Sequence, residues 1–219
     1  MLDSVKNRHS VRSYTDKKIE GETKQELENL INEINANEKL DFRLVLNEPQ
    51  AFNSHYGSFK NANNYIVLAG DKSISNLEEK CGYFGEKIVL KAQELGLNTC
   101  WVAVTYDKKK IPFDIPKNEK LVIVIAIGYG ENQGVPHKMK SIEDISKTKG
   151  EFPDWYKNGL EYVLYAPSAI NQQKIKFELL DGNKVRAIKG IGMYLNVDLG
   201  IAKYHFELGA GKDNFEWDK

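Results

Sequence analysis

Cysteine is scarce in this sequence: Cys81 and Cys100 stand alone among 219 residues, with no C-x-x-C pair. That pattern excludes a disulfide framework, a zinc ribbon and a redox dithiol, and it fits a reducing cytoplasm. A surplus of charge is missing too, because 31 Lys and Arg are matched by 31 Asp and Glu. Long-range attraction to nucleic acid or to an anionic membrane is therefore not expected, and any anion site must be local. No stretch approaches the roughly 20 apolar residues that span a bilayer, and Met1–Lys6 carries no apolar leader core. A soluble, cytoplasmic chain is expected. H-E-x-x-H, G-x-S-x-G and G-x-x-x-x-G-K-[ST] are all absent, which removes the usual signatures of zinc peptidases, nucleophile-elbow hydrolases and P-loop NTPases. The four histidines are scattered, and no metal site is expected.

What is present is a chain long enough to bury a core without staples. Thr23 and Glu26 form a candidate capping box ahead of Leu27, Leu30, Ile31 and Ile34, so a helix is expected over about 22–35. Phe42, Leu44 and Leu46 alternate as a short strand, residues 47–64 read as an irregular loop, and Tyr65–Ala69 reads as a buried strand. Leu77, Cys81, Phe84, Ile88, Ala92 and Leu95 recur at helical spacing and stop at Gly96. Thr99–Thr105 and Leu121–Ile127 read as central strands around the Pro112 and Pro116 turns. A helix over Trp155–Leu164 follows, then a hairpin turning at Asp181-Gly182-Asn183. Asp198 is placed to cap a last helix ending at Gly209. The irregular alternation points to α+β with a mainly antiparallel sheet flanked by helices. Glu94-Leu95-Gly96 and Glu207-Leu208-Gly209, each closing a helix, hint at two halves.

Gly128, Gly130 and Gly134 imitate a dinucleotide loop with one residue too many, and Pro136 interrupts the helix such a loop needs. They read as a turn leaving a strand. The stronger signal is Arg8-His9-Ser10-Val11-Arg12-Ser13-Tyr14, a compact set of guanidinium, imidazole and hydroxyl groups suited to a phosphate and polyol. Taken alone it is more often an exposed basic segment. Ala166-Pro167-Ser168-Ala169-Ile170-Asn171-Gln172-Gln173 adds a Pro-fixed turn with small residues and amides, suited to a flat polar ring or to an ordinary helix-to-strand turn.

These two motifs, with Gly96-Leu97-Asn98-Thr99-Cys100-Trp101, Gly128-Tyr129-Gly130 and Lys138-Met139-Lys140, resemble the FMN-dependent nitroreductase family over most of the chain. The Pro-Ser motif usually follows the Arg motif after one helix; here it comes after the Gly-Tyr-Gly strand. That order resembles the single-chain branch, whose shortened second half replaces a partner subunit. The resemblance implies an internal pseudo-dimer, with residues 1–150 as the first half and 151–219 as the second. It implies one FMN per chain at the junction of the halves, and a monomer suffices for binding.

By the same resemblance Arg8 and Ser10, with His9 beside them, hold the phosphate and ribityl chain, and Lys138 and Lys140 add charge. Arg12 lies at the N1 and O2 edge, where a cation favours the anionic reduced flavin. Pro167, Ser168 and Ala169 pack on the ring, Asn171 and Gln172 reach its polar edge or ribityl, and Ala103, Val104 and Thr105 present backbone toward N5. The family's acidic or glycine residues are missing at that last place. Tyr14, Tyr56, Phe59 and Phe113 are candidates for the open face, although aromatics more often serve as core. The implied activity is ping-pong hydride transfer from NADH or NADPH to a nitro, quinone or related small-molecule acceptor, with no catalytic side chain. A flavin carrier or redox sensor, and a flavin-free interaction module, are the alternatives.

Overall fold

The computed structural model describes residues 2–52 and 59–218. It divides into two compact units: residues 1–77 with 87–136, and residues 78–86 with 137–219. The helix expected up to Gly96 is thus shared between them, whereas the sequence places its one boundary at 150.

The first unit begins with α1 (Leu2–Asn7) and α2 (Gly21–Glu38). The α2 stripe Leu27, Ile31 and Ile34 is buried as its spacing requires. The start differs from expectation: Glu20 is the N-cap, without a side-chain cap bond, and Thr23 lies inside the helix. The Asn-rich stretch stays helical to Glu38, and Lys39 turns the chain at φ 57°. There Asn35 is useful rather than disruptive. Its side chain donates to Phe42 O and accepts from Phe42 N, both at 2.8 Å, and so satisfies the open edge of β1 (Leu40–Val45).

The sheet has the order β1, β2 (Tyr65–Asp71), β4 (Glu119–Gly128), β3 (Asn98–Val102), antiparallel throughout. β2 and β4 are nearly continuous apolar runs with both faces covered. One face meets Val11, Tyr14, Phe52 and Cys100 in a single cluster. β3 is an edge strand of this sheet rather than a central one, and it stops at Val102, so Ala103–Thr105 lie beyond it in a bend. The shared helix is α3 (Leu77–Glu94), ending at Leu95 and Gly96 with φ 77° at the glycine, as its left-handed cap demands. The expected loop over 47–64 contains a short 3₁₀ turn at Gln50–Phe52, and its residues 53–58, Tyr56 among them, lie outside the described residues.

The second unit holds the first half of α3, α4 (Ile142–Ile145), α5 (Asp154–Val163), a hairpin of β5 (Ile175–Leu180) and β6 (Lys184–Lys189), α6 (Leu195–Ala210) and β7 (Glu216–Trp217). β7 joins β6 in parallel, and the hairpin is antiparallel. Its core is aromatic: Phe177 stacks on Phe206 at 4.8 Å and Trp155 on Phe215 at 5.7 Å between ring centroids. Glycines let the helices touch. A Cβ at Gly82 would stand 2.0 Å from Val197 O, and one at Gly200 would stand 1.9 Å from Glu79 O. Gly209 does the same between α6 and α5, where a Cβ would meet Asn158 O at 2.4 Å. Gly209 is therefore a packing residue inside α6, and Gly211 ends the helix. Glu94-Leu95-Gly96 and Glu207-Leu208-Gly209 do not occupy equivalent helix ends. Asp198 is not the cap either; Tyr194 holds that position at φ 54°.

Candidate functional site

In the first unit the Arg8–Tyr14 segment meets β3 at one parallel bridge and then crosses to Lys60 and Gly130. Ser10 bridges Thr99, Val11 N donates to Thr99 O at 3.0 Å, and Tyr14 N donates to Lys60 O at 2.9 Å. Lys60 N donates to Arg12 O, and Thr15 N donates to Tyr129 O. This stitching sends Val11 and Tyr14 into the core and leaves Arg12 exposed. Arg8 is 4% exposed, a guanidinium almost withdrawn from water.

Three of the expected residues bear on the buried Cys100 thiol. Burial pushes the Cys100 thiol up, while the charges of Arg12 and Arg8 and a hydrogen bond with Ser10 pull it down. Burial likewise pushes the Tyr14 phenol well up, and its hydroxyl donates to Val11 O at 2.7 Å. His9 Nδ1 lies 3.2 Å from Gln133 O. The loop after β4 closes on the segment from behind. Asn98 Oδ1 accepts from Gly130 N, Asn98 Nδ2 donates to Gln133 Oε1, both at 3.0 Å, and a Cβ on Gly134 would stand 2.7 Å from His9 Cβ. No helix follows these glycines directly, so they form a strand-exit turn as read from sequence. Asn98, 2% exposed, is a positioning residue that the sequence pattern does not reveal.

Of the other expected residues in this unit, Val104 is 74% exposed in the bend with Ala103 and Thr105. Tyr14 is core, and Phe59 and Phe113 pack against the same core cluster.

In the second unit Pro167, Ser168, Ala169, Asn171 and Gln172 form one turn, with the 3₁₀ element at Ala169–Asn171. Ile170, Asn171 and Gln173 all have positive φ, at 47°, 56° and 45°. Left-handed backbone costs a residue with a Cβ roughly 1–2 kcal/mol, most for a β-branched one, so the path must be held from outside. Side chains hold it. Asp198, buried, accepts from Ala169 N at 3.0 and 3.3 Å and from Gln172 Nε2 at 2.8 Å. Gln172 Nε2 also donates to Met193 O at 2.7 Å, which commits both its protons to bracing. Ser168 Oγ accepts from Gln173 N at 3.0 Å.

Lys138 and Lys140 meet this turn through their own bonds. Lys138 O accepts from Asn171 Nδ2 at 3.0 Å and from Gln173 Nε2 at 2.9 Å, while the Lys140 ammonium donates to Gln173 O at 2.6 Å. Lys138 is exposed. Asn171 and Gln172 thus brace the turn, and Lys140 is engaged with a carbonyl. Burial raises the Asp198 carboxyl, opposed by its bonds from Gln172 and Ala169. Among the described residues no group of His, Cys, Asp and Glu is placed to hold a metal ion, and no helix is long and apolar enough to cross a membrane.

The chemistry of the first unit's donor set suits an anion with several acceptor oxygens, because two guanidinium groups and a hydroxyl lie on one short segment and one of the cations is nearly dry. Residues 1–210 match the family described as "Putative TM nitroreductase". The fold is similar to that of a "putative nitroreductase" from Thermotoga maritima MSB8, with TM-score 0.70 and 24% identity over 98% of this chain and 86% of that one. An "FMN-dependent nitroreductase" from Clostridium difficile R20291 has TM-score 0.53 and 25% identity over 69% of this chain and 98% of that one. A "putative nitroreductase in complex with FMN" from Desulfovibrio desulfuricans has TM-score 0.54 and 20% identity over 69% of this chain and 97% of its own. No curated protein sequence matches. The α+β architecture, with its antiparallel sheet flanked by helices, is the nitroreductase fold, and the chain belongs to the TM nitroreductase family.

Proposed function

We propose that this chain is an FMN-dependent oxidoreductase that takes electrons from NADH or NADPH and passes them to a nitro, quinone or related small organic acceptor. The Arg8–Arg12 segment, held by backbone bonds to Thr99 and Lys60 with the Arg8 guanidinium nearly buried, carries the reading. Family membership and the FMN-dependent Clostridium relative support the choice of cofactor. When bound, FMN supplies the hydride and electron chemistry.

The chain's own residues bind and tune. Arg8 and Ser10 take the phosphate and ribityl oxygens, His9 stands beside them against Gln133, and Arg12 contributes positive charge at the polar edge of the ring, which favours a reduced anion. In the second unit Ser168 and Ala169 form a small, tightly held surface, and Lys138 is an exposed cation. Asn171, Gln172 and Lys140 act through the turn they brace. No side chain is assigned as general acid or base. Each motif occurs once, so one FMN per chain is expected.

The test is a visible spectrum of protein loaded with FMN and freed of excess, followed by anaerobic NADH or NADPH. One flavin per chain that bleaches with the nucleotide supports the oxidoreductase. A retained flavin that does not bleach supports a carrier or sensor, and failure to retain any flavin overturns the assignment.

A further inference from the structure

One buried ionisable pair in the second unit has no part among the binding residues named above. His205 of α6 and Glu86 of α3 are wholly buried, and His205 Nε2 lies 2.9 Å from Glu86 Oε1. The other ring nitrogen, Nδ1, lies 3.1 Å from Tyr162 O of α5. Both neighbours are acceptors. A carbonyl oxygen and an ionised carboxylate can only accept, while a neutral imidazole carries a single N–H. That one N–H cannot serve acceptors on two sides of the ring. Nδ1 or Nε2 would then point a lone pair at an oxygen in a dry core, and an unmade bond of that kind is costly. One added proton removes the conflict, whether it rests on the imidazole or on the carboxyl. The other charged groups of these helices have partners elsewhere or face water. Glu207 accepts from the Tyr83 hydroxyl, Trp217 Nε1 and the Lys212 ammonium, Lys203 donates to Glu79, and Glu78 accepts from Asn196. Lys87 pairs with Glu33, Asp198 accepts from Ala169 N, and Asp154, Lys157 and Glu161 are exposed. Burial raises the Tyr162 phenol, so it adds no charge.

We infer that Glu86 and His205 hold one proton between them in the folded protein, and that this proton is a condition for packing α5 and α6 against the first half of α3. The pair lies wholly within the second unit, and the flavin reading has no bearing on it. Without the proton, either a carboxylate faces the Nε2 lone pair or Nδ1 faces a carbonyl, in a core that Gly82 and Gly200 already draw tight. The three helices are thus tied by a protonation state as well as by apolar contact. A neutral donor in place of the carboxylate makes the proton unnecessary: the amide of Glu86→Gln can give its own N–H to Nε2 while Nδ1–H serves Tyr162 O.

The experiment compares the full wild-type chain with Glu86→Gln. Nitrogen NMR of the histidine rings and carbon NMR of the Glu86 carboxyl, at neutral pH, locate the protons in wild type. His205 Nδ1 should carry one, and a second should sit on Nε2 or on the Glu86 carboxyl. Calorimetric unfolding in buffers of differing ionisation heat then counts the protons released, at about pH 8, where an unfolded imidazole with its ordinary value of about 6.5 is mostly neutral. Wild type should release about one proton more than Glu86→Gln, because the variant meets Nε2 with an amide N–H instead. A bare Nδ1, or a single ring proton beside an ionised Glu86, overturns the inference. Equal proton release from the two proteins overturns it as well. If Glu86→Gln does not fold, the ring and carboxyl signals of wild type decide by themselves.

Discussion

The two units hold their candidate ligands by different means. In the first, the Arg8–Tyr14 segment is fixed by backbone bonds to Thr99 and Lys60 and by Glu131 N, which donates to Ser13 O, with Thr15 N donating to Tyr129 O just after it. In the second, the Pro-Ser turn is fixed mainly by side chains: Asp198, Gln172, Gln173, Asn171 and Lys140. Backbone pairing survives side-chain replacement, whereas a side-chain brace fails with one substitution. The first unit should therefore localise the damage done by a mutation, and the second should transmit it.

The sharpest test is the buried pair of the second unit. His205 Nε2 lies 2.9 Å from Glu86 Oε1, and its Nδ1 faces Tyr162 O at 3.1 Å, both side chains being wholly buried. Glu86→Ala strips the imidazole of a partner in a dry core and should cost about 3–5 kcal/mol in urea unfolding. A loss below about 1 kcal/mol would remove the claim that the second unit depends on single buried polar groups. Next in size, Arg8→Ala should weaken FMN by about 1.5–3 kcal/mol, roughly ten- to a hundredfold, by titration. The backbone bonds of Val11 and Tyr14 should persist, visible as unchanged amide exchange; if they open, the segment is not held by its backbone. Gly200→Ala pushes a methyl against Glu79 O and should lower stability by about 1–3 kcal/mol, measured by thermal unfolding.

The smallest effect belongs to the first unit. The Ser73 hydroxyl, the Ser73 N–H at 2.8 Å and Asn118 Nδ2 at 2.7 Å hold Asp71 down to about 2. Its folded value lies below its unfolded one, so its contribution is present above about pH 4 and is lost as pH falls toward 2. A carbon NMR titration of the Asp71 carboxyl with a midpoint near 4 would show that these bonds do not persist in solution.

Much of the fold was legible because periodicity reports burial directly. α3 with its Gly96 stop, β2, the β5–β6 hairpin and α5 all lie where apolar spacing and turn residues place them. Errors fall where one signal has two physical uses. A Ser/Thr-x-x-Glu pattern is also ordinary helix composition, and Thr23 lies within α2. An apolar run describes an edge strand as well as a central one when other chain meets the edge, and Ser10 and Val11 do this for β3 at Thr99. A glycine late in a helix serves as a cap or as a contact, and Gly209 is a contact.

The amino-acid sequence by itself determined which residues are chemically able to meet an anion and a flat ring, because guanidinium, hydroxyl and amide groups carry that capacity wherever the chain goes. It also determined most element types, since solvent exclusion acts on patterns three or four residues long. Only the tertiary structure decided that Val11 and Tyr14 bond to Thr99 and Lys60, that Asn171 and Gln172 brace rather than reach outward, and that Asp198 is a buried brace and not a cap. Those are contacts between residues tens of positions apart. No local period encodes them, because the partner of a hydrogen-bonding group is set by where packing leaves it.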